Sequence, residues 1–315
     1  MTTSTAREAC SADPQREEHT WYNPPMALHA PTVAEGFLFT ESPRWHGDRL
    51  WFVDMHDRRV LALSAGGAET VAVIDGDDPS GLGWLPDGRL LVVSMERQQL
   101  LRQEPDGSMV VHADLSALSR GTLNDMIVAA DGTAYVGDMG YRLHGGVNPN
   151  NGQTLMVFPS GEVTVAADDL RAPNGHILTP DERTLIVGES AGGCLTAFDR
   201  ADDGTLSNRR TFAVLTPSDP AVGFAPPDGI CLDADGAVWV ADPYGKRVLR
   251  VLDGGAVTDV VGFGPEMPVA CVLGGEGRRT LYICAAESWR PEELHGRRTA
   301  RIAALAVDVP GAGKP

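Results

Sequence analysis

Along most of the chain, apolar and polar positions alternate in short runs of about five residues, separated by turns rich in Gly, Asp and Pro. A period of two residues marks β-strands, and no stretch holds the 3.6-residue period of a helix for long. Residues 225–251, APPDGICLDADGAVWVADPYGKRVLRV, show the pattern most plainly. Pro226 and Pro227 stop what precedes, Asp228 to Leu232 form a short apolar run, and Asp235-Gly236 is a turn that joins antiparallel strands. Val238 to Asp242 make a second strand, Tyr244 to Arg247 a second turn, and Val248 to Val251 a third strand. One such hairpin set cannot bury its own faces and needs copies of itself.

The copies are present at 43–54, 83–93, 126–136, 176–187 and 270–284. Together they are six units roughly 40 to 53 residues apart, the period of a four-stranded propeller blade. The pattern therefore predicts an all-β fold, a six-bladed β-propeller with four-stranded blades. The last unit has its third strand at 300–307 and no fourth, while residues 32–36 precede the first unit without a blade of their own. Pairing these two segments completes the sixth blade and removes two open sheet edges. The expected organisation is a loosely attached segment at 1–25, one propeller at 26–309 and a flexible tail at 310–315.

Composition permits this: 315 residues, 43% hydrophobic, with 36 glycines and 22 prolines for the turns. A formal net charge of −17 disfavours nucleic acid or an anionic membrane as partner, since both repel it. No apolar run reaches the roughly 18 residues a membrane-spanning helix needs. The five cysteines are scattered, without a Cys-x-x-Cys pair, and read as small buried residues of a reduced, cytoplasmic protein rather than a disulfide framework or zinc site. A monomer or small homo-oligomer acting on a small molecule is expected.

In a propeller, the first hairpin turns lie on one face, and the starts of the innermost strands lie on the other. Here the first turns are all tight, whereas the long insertions 140–153, 217–227 and 287–299 fall on the opposite face, where loops carry function. At the innermost-strand entries of that face stand Glu41, Asn124, Asn174 and Asp228. Two carboxylates and two amides converging on the tunnel offer only hard oxygen donors, which suits Ca²⁺, with Mg²⁺, Mn²⁺ or Zn²⁺ as alternatives. His176 follows Asn174 by two residues, so its ring is expected to point the same way, either as a satisfied core histidine or as an orienting group. His56, Glu96, Arg97, Arg142, Glu189, Asp242 and His295 also belong to this face.

The segments Glu41-Ser42-Pro43-Arg44-Trp45, Asn124-Asp125 with Gly137-Asp138-Met139, Arg171-Ala172-Pro173-Asn174-Gly175, and Pro227-Asp228-Gly229-Ile230 resemble, in order and spacing, the SMP-30/gluconolactonase/LRE-like (regucalcin-type) family over roughly 33–307. The resemblance implies a six-bladed propeller with one divalent ion in the tunnel and, in many members, lactone hydrolysis. By motif it makes Glu41, Asn174 and Asp228 the metal ligands and Asn124 a substrate or metal contact. It also shows a departure: Thr122 stands where sugar-lactone members carry an arginine. With Met95, Met139, Tyr141 and Trp289 expected at the rim, beside Trp84, this suits a less polar lactone or ester. The expected substrate contacts are Thr122, Asn124, Met95, Met139, Tyr141, His176 and Trp289. Asp228 is the expected general base, because one oxygen can hold the ion while the other faces the attacking water.

No Gly-x-Ser-x-Gly elbow, phosphate loop or His-Glu-x-x-His helix occurs. The alternatives are a ligand- or peptide-binding propeller and a strictosidine-synthase-like condensing enzyme, for which Glu189 is the available acid-base group.

Overall fold

A computed structural model of the chain describes residues 28–143, 151–218 and 225–315. The expectation for residues 1–25, and the middle of the insertions at 140–153 and 217–227, lie outside the described residues. The described chain forms six four-stranded antiparallel sheets arranged as a six-bladed β-propeller. The innermost strands are Thr40–His46, Pro79–Trp84, Leu123–Val128, Pro173–Leu178, Ile230–Leu232 and Met267–Gly274, for blades 1 to 6 in that order. The expected closure is observed: Thr32–Phe37 pairs antiparallel with Ala300–Ala306 and completes blade 6, with Glu35 opposite Arg301 and Phe37 opposite Ala300.

Burial falls off from the axis outward. Second strands such as Leu90–Ser94 and Val238–Asp242 are buried at every position, because a neighbouring blade covers each face. They therefore read as unbroken apolar runs. Outer strands such as Gly67–Val73 are largely exposed. The core is the set of seams between adjacent blades, filled by side chains such as Phe52, Leu82, Leu91, Met126 and Leu155.

Five of the six innermost strands lose register at the same place, between Glu41 and Arg44, Pro79 and Leu82, Leu123 and Met126, Pro173 and His176, and Pro268 and Ala270. In blade 5 the regular pairing shortens to Ile230–Leu232, and Asp228-Gly229 stand just before it. A bulge inserts an unpaired residue and re-aims its side chain, here toward the tunnel axis. The same strands crowd one another, so some positions admit no side chain. A Cβ on Gly81 of blade 2 would lie 2.5 Å from the Met126 backbone nitrogen of blade 3.

The opposite mouth of the tunnel is crossed by residues 310–315, which are held in place rather than free. Ala312 N–H donates to the Leu232 carbonyl at 2.9 Å, and Leu178 and Lys314 exchange main-chain hydrogen bonds at 3.0 and 2.9 Å. Lys314 Nζ donates to the Val128 carbonyl at 3.1 Å and pairs with Glu182 at 2.7 Å. Arg278 donates to the Gly313 carbonyl at 3.2 Å. The segment thus ties the lower ends of blades 3 to 6. A cavity of about 370 Å³ remains between it and Trp45, His46 and Trp84. Trp84 stacks on His46 here, with ring centroids 4.0 Å apart, so it packs a blade seam at the lower face instead of lining the upper rim.

Gly81→Ala is expected to destabilise the protein by about 1–3 kcal/mol, because the contact it creates is with rigid backbone. Equilibrium urea unfolding measures this, and a loss below about 0.5 kcal/mol would mean that blades 2 and 3 separate easily.

Candidate metal centre

Glu41, Asn124 and Asn174 stand at the bulged starts of the innermost strands of blades 1, 3 and 4, and Asp228 stands just before the shortened innermost strand of blade 5. Glu41 is buried, at 9% exposure, and the other three are half-buried. The ring is therefore sunk below the surface but not sealed from solvent. Ser42 sits at φ 49°, a left-handed backbone conformation that turns the Glu41 side chain inward. Its own N–H donates to Glu41 Oε2 at 2.5 Å. Asn174 Nδ2 donates to Asp228 Oδ1 at 2.5 Å, which turns the amide oxygen away from the carboxylate. Ser80, at the matching position of blade 2, donates to Asn124 Oδ1 at 3.1 Å.

The electrostatics of the ring are one-sided. Burial pushes the Asp228 carboxyl up to about 7, the Asn174 amide opposes the rise, and the Asp125 charge adds to it. Burial and then the Asp228 charge push Glu41 well above the usual carboxylate range. Among the described residues, neither Glu41 nor Asp228 pairs with a cation, and the buried Ser42 hydroxyl beside them has no hydrogen-bond partner. Two carboxylates raised by burial and without an ion-pair partner among the described residues, beside two amide-bearing side chains, fit a hard divalent cation. Among the described residues no cluster of three His, Cys, Asp or Glu stands ready to hold a metal, so the amide oxygens are needed.

One layer deeper, Arg44 and Asp125 form a buried ion pair, Nη2 to Oδ1 at 2.5 Å. His176 is fully buried, and burial pushes its pKa down to about 4, so the ring is neutral. Its Nδ1 lies 2.6 Å from the Asn174 carbonyl, which can only accept, so Nδ1 donates there and Nε2 takes the Thr154 hydroxyl proton at 3.1 Å. His176 is thus a satisfied core histidine that braces the Asn174 backbone, and it does not reach a substrate.

Residues 39–287 match the family model described as the SMP-30/gluconolactonase/LRE-like region. The chain belongs to the SMP-30/gluconolactonase/LRE-like family. Regucalcin of Xenopus laevis is 26% identical over 286 residues, covering 87% of this chain and 94% of that protein. The 6-deoxy-6-sulfogluconolactonase of Pseudomonas putida is 30% identical over 168 residues, 53% of this chain and 56% of that enzyme, so this chain spans about half its length in the match. Among solved structures, the calcium-binding protein regucalcin of Agrobacterium tumefaciens shares the fold, with a TM-score of 0.74 at 20% identity over 92% of this chain and 99% of that one.

This SMP-30/gluconolactonase/LRE-like chain does not present all the rim residues that sequence reasoning expects. Thr122 is 0% exposed, its hydroxyl donates to Glu96 Oε1 at 2.5 Å, and it accepts from the Leu143 N–H at 3.1 Å. Met95 and Met139 are 2% and 7% exposed. These three support the blade ends, because residues 141–143 fold over them and take their backbone groups, as in Thr122 N to Tyr141 O at 2.9 Å. Tyr141 and Trp289 stay half-buried at the rim. Burial, and then the Asp228 charge, raise the Tyr141 phenol to about 12.

The remaining acids of this face are structural. Asp54, Asp138, Glu189 and Asp242 close the second strands of blades 1, 3, 4 and 5, each buried and bonded to the backbone N–H of a loop. Glu189 accepts from Arg171 N–H, from the Thr196 hydroxyl and from Arg209. These bonds occupy it and leave the condensing-enzyme alternative without its acid. Glu96 holds Thr122 and Arg142, and Arg142 donates to it at 3.1 Å. His56 lies 3.0 Å from the Trp289 carbonyl. Sequence reasoning missed Ser80 and the Arg44–Asp125 pair. The signal for Ser80 was present, since Pro79-Ser80-Gly81, Pro173-Asn174-Gly175 and Pro227-Asp228-Gly229 are one tripeptide with a changing polar centre. The cysteine expectation holds for Cys231, Cys271 and Cys284, which are free and buried.

Asp228 and Glu41 bind protons more tightly in the folded than in the unfolded chain, so without metal they stabilise the fold at low pH. Stability of the metal-free protein should fall as pH rises from about 4, the ordinary carboxylate value, through about 7 for Asp228. Melting temperatures across pH 4 to 8 in a chelator test this. Asp228→Asn should flatten the slope, and added Ca²⁺ should abolish it.

Proposed function

We propose that this protein is a divalent-cation-dependent hydrolase of lactones or related esters, with Ca²⁺ as its ion. The observation that carries the reading is the ring of Glu41, Asn124, Asn174 and Asp228, whose two carboxylates are buried together without an internal cation. Similarity to a sulfogluconolactonase and to regucalcin supports the lactone and the calcium respectively. A binding module would gain nothing from two carboxylates at the tunnel mouth whose proton affinities are both raised by burial.

A divalent ion bound by these four side chains would supply Lewis acidity to a carbonyl oxygen and acidify an adjacent water. Asn174 holds Asp228 Oδ1 through its amide, so the orientation of that carboxylate is set before substrate arrives. Asp228 Oδ2 is then the group placed to take a proton from water attacking the lactone carbonyl, and its half-buried setting tunes it for that task near neutral pH. Asn124, steadied by Ser80, is placed to donate to the substrate or to lend its oxygen to the ion. Tyr141 and Trp289 give the entrance aromatic walls. Thr122, buried and engaged with Glu96, offers a substrate no charge, so a polyhydroxylated lactone loses an anchor here.

Exhaustive chelation should abolish hydrolysis of a γ- or δ-lactone and lower the melting temperature, since an ion held at about 100 times its Kd adds roughly 2.7 kcal/mol. Asp228→Asn should cut kcat more than about a hundredfold, a loss above roughly 2.7 kcal/mol, while Glu41→Gln should chiefly weaken the ion. Full activity in chelator, with no ion in the isolated protein, would refute the reading. For the substrate class, a ladder of alkyl γ-lactones beside glucono-δ-lactone should favour the alkyl series in kcat/KM, and a strong preference for gluconolactone would assign the anchor to another residue.

A further inference from the structure

The buried pair beneath the ring has a role that neither the fold nor the proposed chemistry assigns. Arg44 and Asp125 are each 5% exposed. The guanidinium makes four hydrogen bonds: Nε donates to the Leu82 carbonyl at 3.1 Å, Nη1 to the Pro43 carbonyl at 2.9 Å, and Nη2 to the Met126 carbonyl at 2.6 Å and to Asp125 Oδ1 at 2.5 Å. Asp125 Oδ1 also accepts from the Met126 N–H at 2.8 Å. Arg44 therefore reaches from the bulge of Glu41 in blade 1, past blade 2, to the bulge of Asn124 in blade 3. Arginine does not give up its proton in a protein, so its charge is permanent.

Without Arg44 the tunnel would hold three carboxylates within electrostatic reach of one another. Asp125 raises the carboxyls of both Glu41 and Asp228, and Arg44 opposes this at Glu41. Three carboxylates less one guanidinium leave two negative charges, the complement of a divalent ion. A buried charge without a partner is costly, so the balance has to be struck inside the tunnel.

We propose that Arg44 is a positioning residue that sets the charge selectivity of the site: by neutralising Asp125 it tunes the ring to a divalent rather than a trivalent cation, while its hydrogen bonds hold the Glu41 and Asn124 bulges at fixed separation. This rests on the divalent-ion reading above, and it concerns which charge the site prefers, independently of what reaction follows.

The test is a pair of calorimetric titrations of the metal-stripped full chain, one with Ca²⁺ and one with Tb³⁺. Glu41→Gln identifies the tunnel site among weaker surface sites. Arg44→Met leaves Asp125 uncompensated and should raise the Tb³⁺ to Ca²⁺ affinity ratio about tenfold or more. Asp125→Asn leaves the guanidinium uncompensated and should weaken both ions and move the ratio the other way. The double variant Arg44→Met/Asp125→Asn should bring the ratio back to within about threefold of the wild type, and Arg44→Lys, which keeps the charge, should preserve it. A merely structural strut predicts that all four variants weaken both ions alike. An unchanged ratio, equal directions for Arg44→Met and Asp125→Asn, or no recovery in the double variant overturns the proposal. Should Arg44→Met fail to fold, as melting would show, the opposite sign expected of Asp125→Asn and the retention expected of Arg44→Lys decide it alone. If wild-type protein binds neither ion in the tunnel, this inference falls together with the divalent-ion reading; if it binds Ca²⁺ and the variants leave the ratio alone, only this inference falls.

Discussion

Two carboxylates buried side by side without a cation of their own are the constraint on which this molecule turns. Glu41 and Asp228 come from blades 1 and 5, far apart in sequence; burial raises the proton affinity of both, and the Asp228 charge lifts that of Glu41 further. Such an arrangement persists only when the rest of the structure holds it, because like charges out of water repel and are poorly solvated. The surrounding features supply that restraint. Asn174 holds Asp228 by its amide, the Ser42 N–H holds Glu41, and His176 braces the Asn174 backbone from behind.

The backbone is built to bring these groups to the axis. A regular β-ladder would send alternate side chains into the seams on either side of a blade, and the repeated bulge at the start of the innermost strands breaks that alternation at the polar positions. Close packing of the inner strands does the rest. At Gly175, a Cβ would lie 2.8 Å from the Asp228 carbonyl oxygen, so the bare backbone there lets blades 4 and 5 approach closely enough for the amide to meet the carboxylate. At the far mouth, residues 310–315 bind the lower ends of four blades and oppose splaying of the same strands.

Acidic residues abound on the upper face, and physical criteria separate the structural ones from the chemical ones. Asp54, Asp138, Glu189 and Asp242 are buried more deeply than the ring, yet backbone N–H groups meet the oxygens of all four and arginines lie against Asp54, Glu189 and Asp242. These four staple loops to blade ends. Among the described residues, Glu41 and Asp228 have neither an arginine nor a full set of donors, which distinguishes them as the candidate site. Burial likewise separates Thr122, Met95 and Met139 from Tyr141 and Trp289, which stay half-buried.

Repetition made most of this legible in the sequence. The alternation of apolar and polar residues and the Asp-Gly turns recur at the blade period, and periodicity survives divergence because every blade needs the same two buried faces; so the six blades, the closure by residues 32–37 and the four oxygen-bearing side chains were all readable. The family resemblance rested on the same short motifs. What the sequence could not show was which side chain meets which across blades. Thr122, Met95 and Met139 stand at positions that periodicity assigns to the upper face, yet the loop at 141–143 covers them. Arg44 looks like one more residue of an inner strand until the fold carries its guanidinium 81 positions along the chain to Asp125. Sequence by itself determined the strands, their repeat and the kind of atoms at the tunnel mouth, because those follow from local pattern. Tertiary structure alone decided the charge balance, since burial and pairing are properties of neighbours that the chain brings together only when the ring closes.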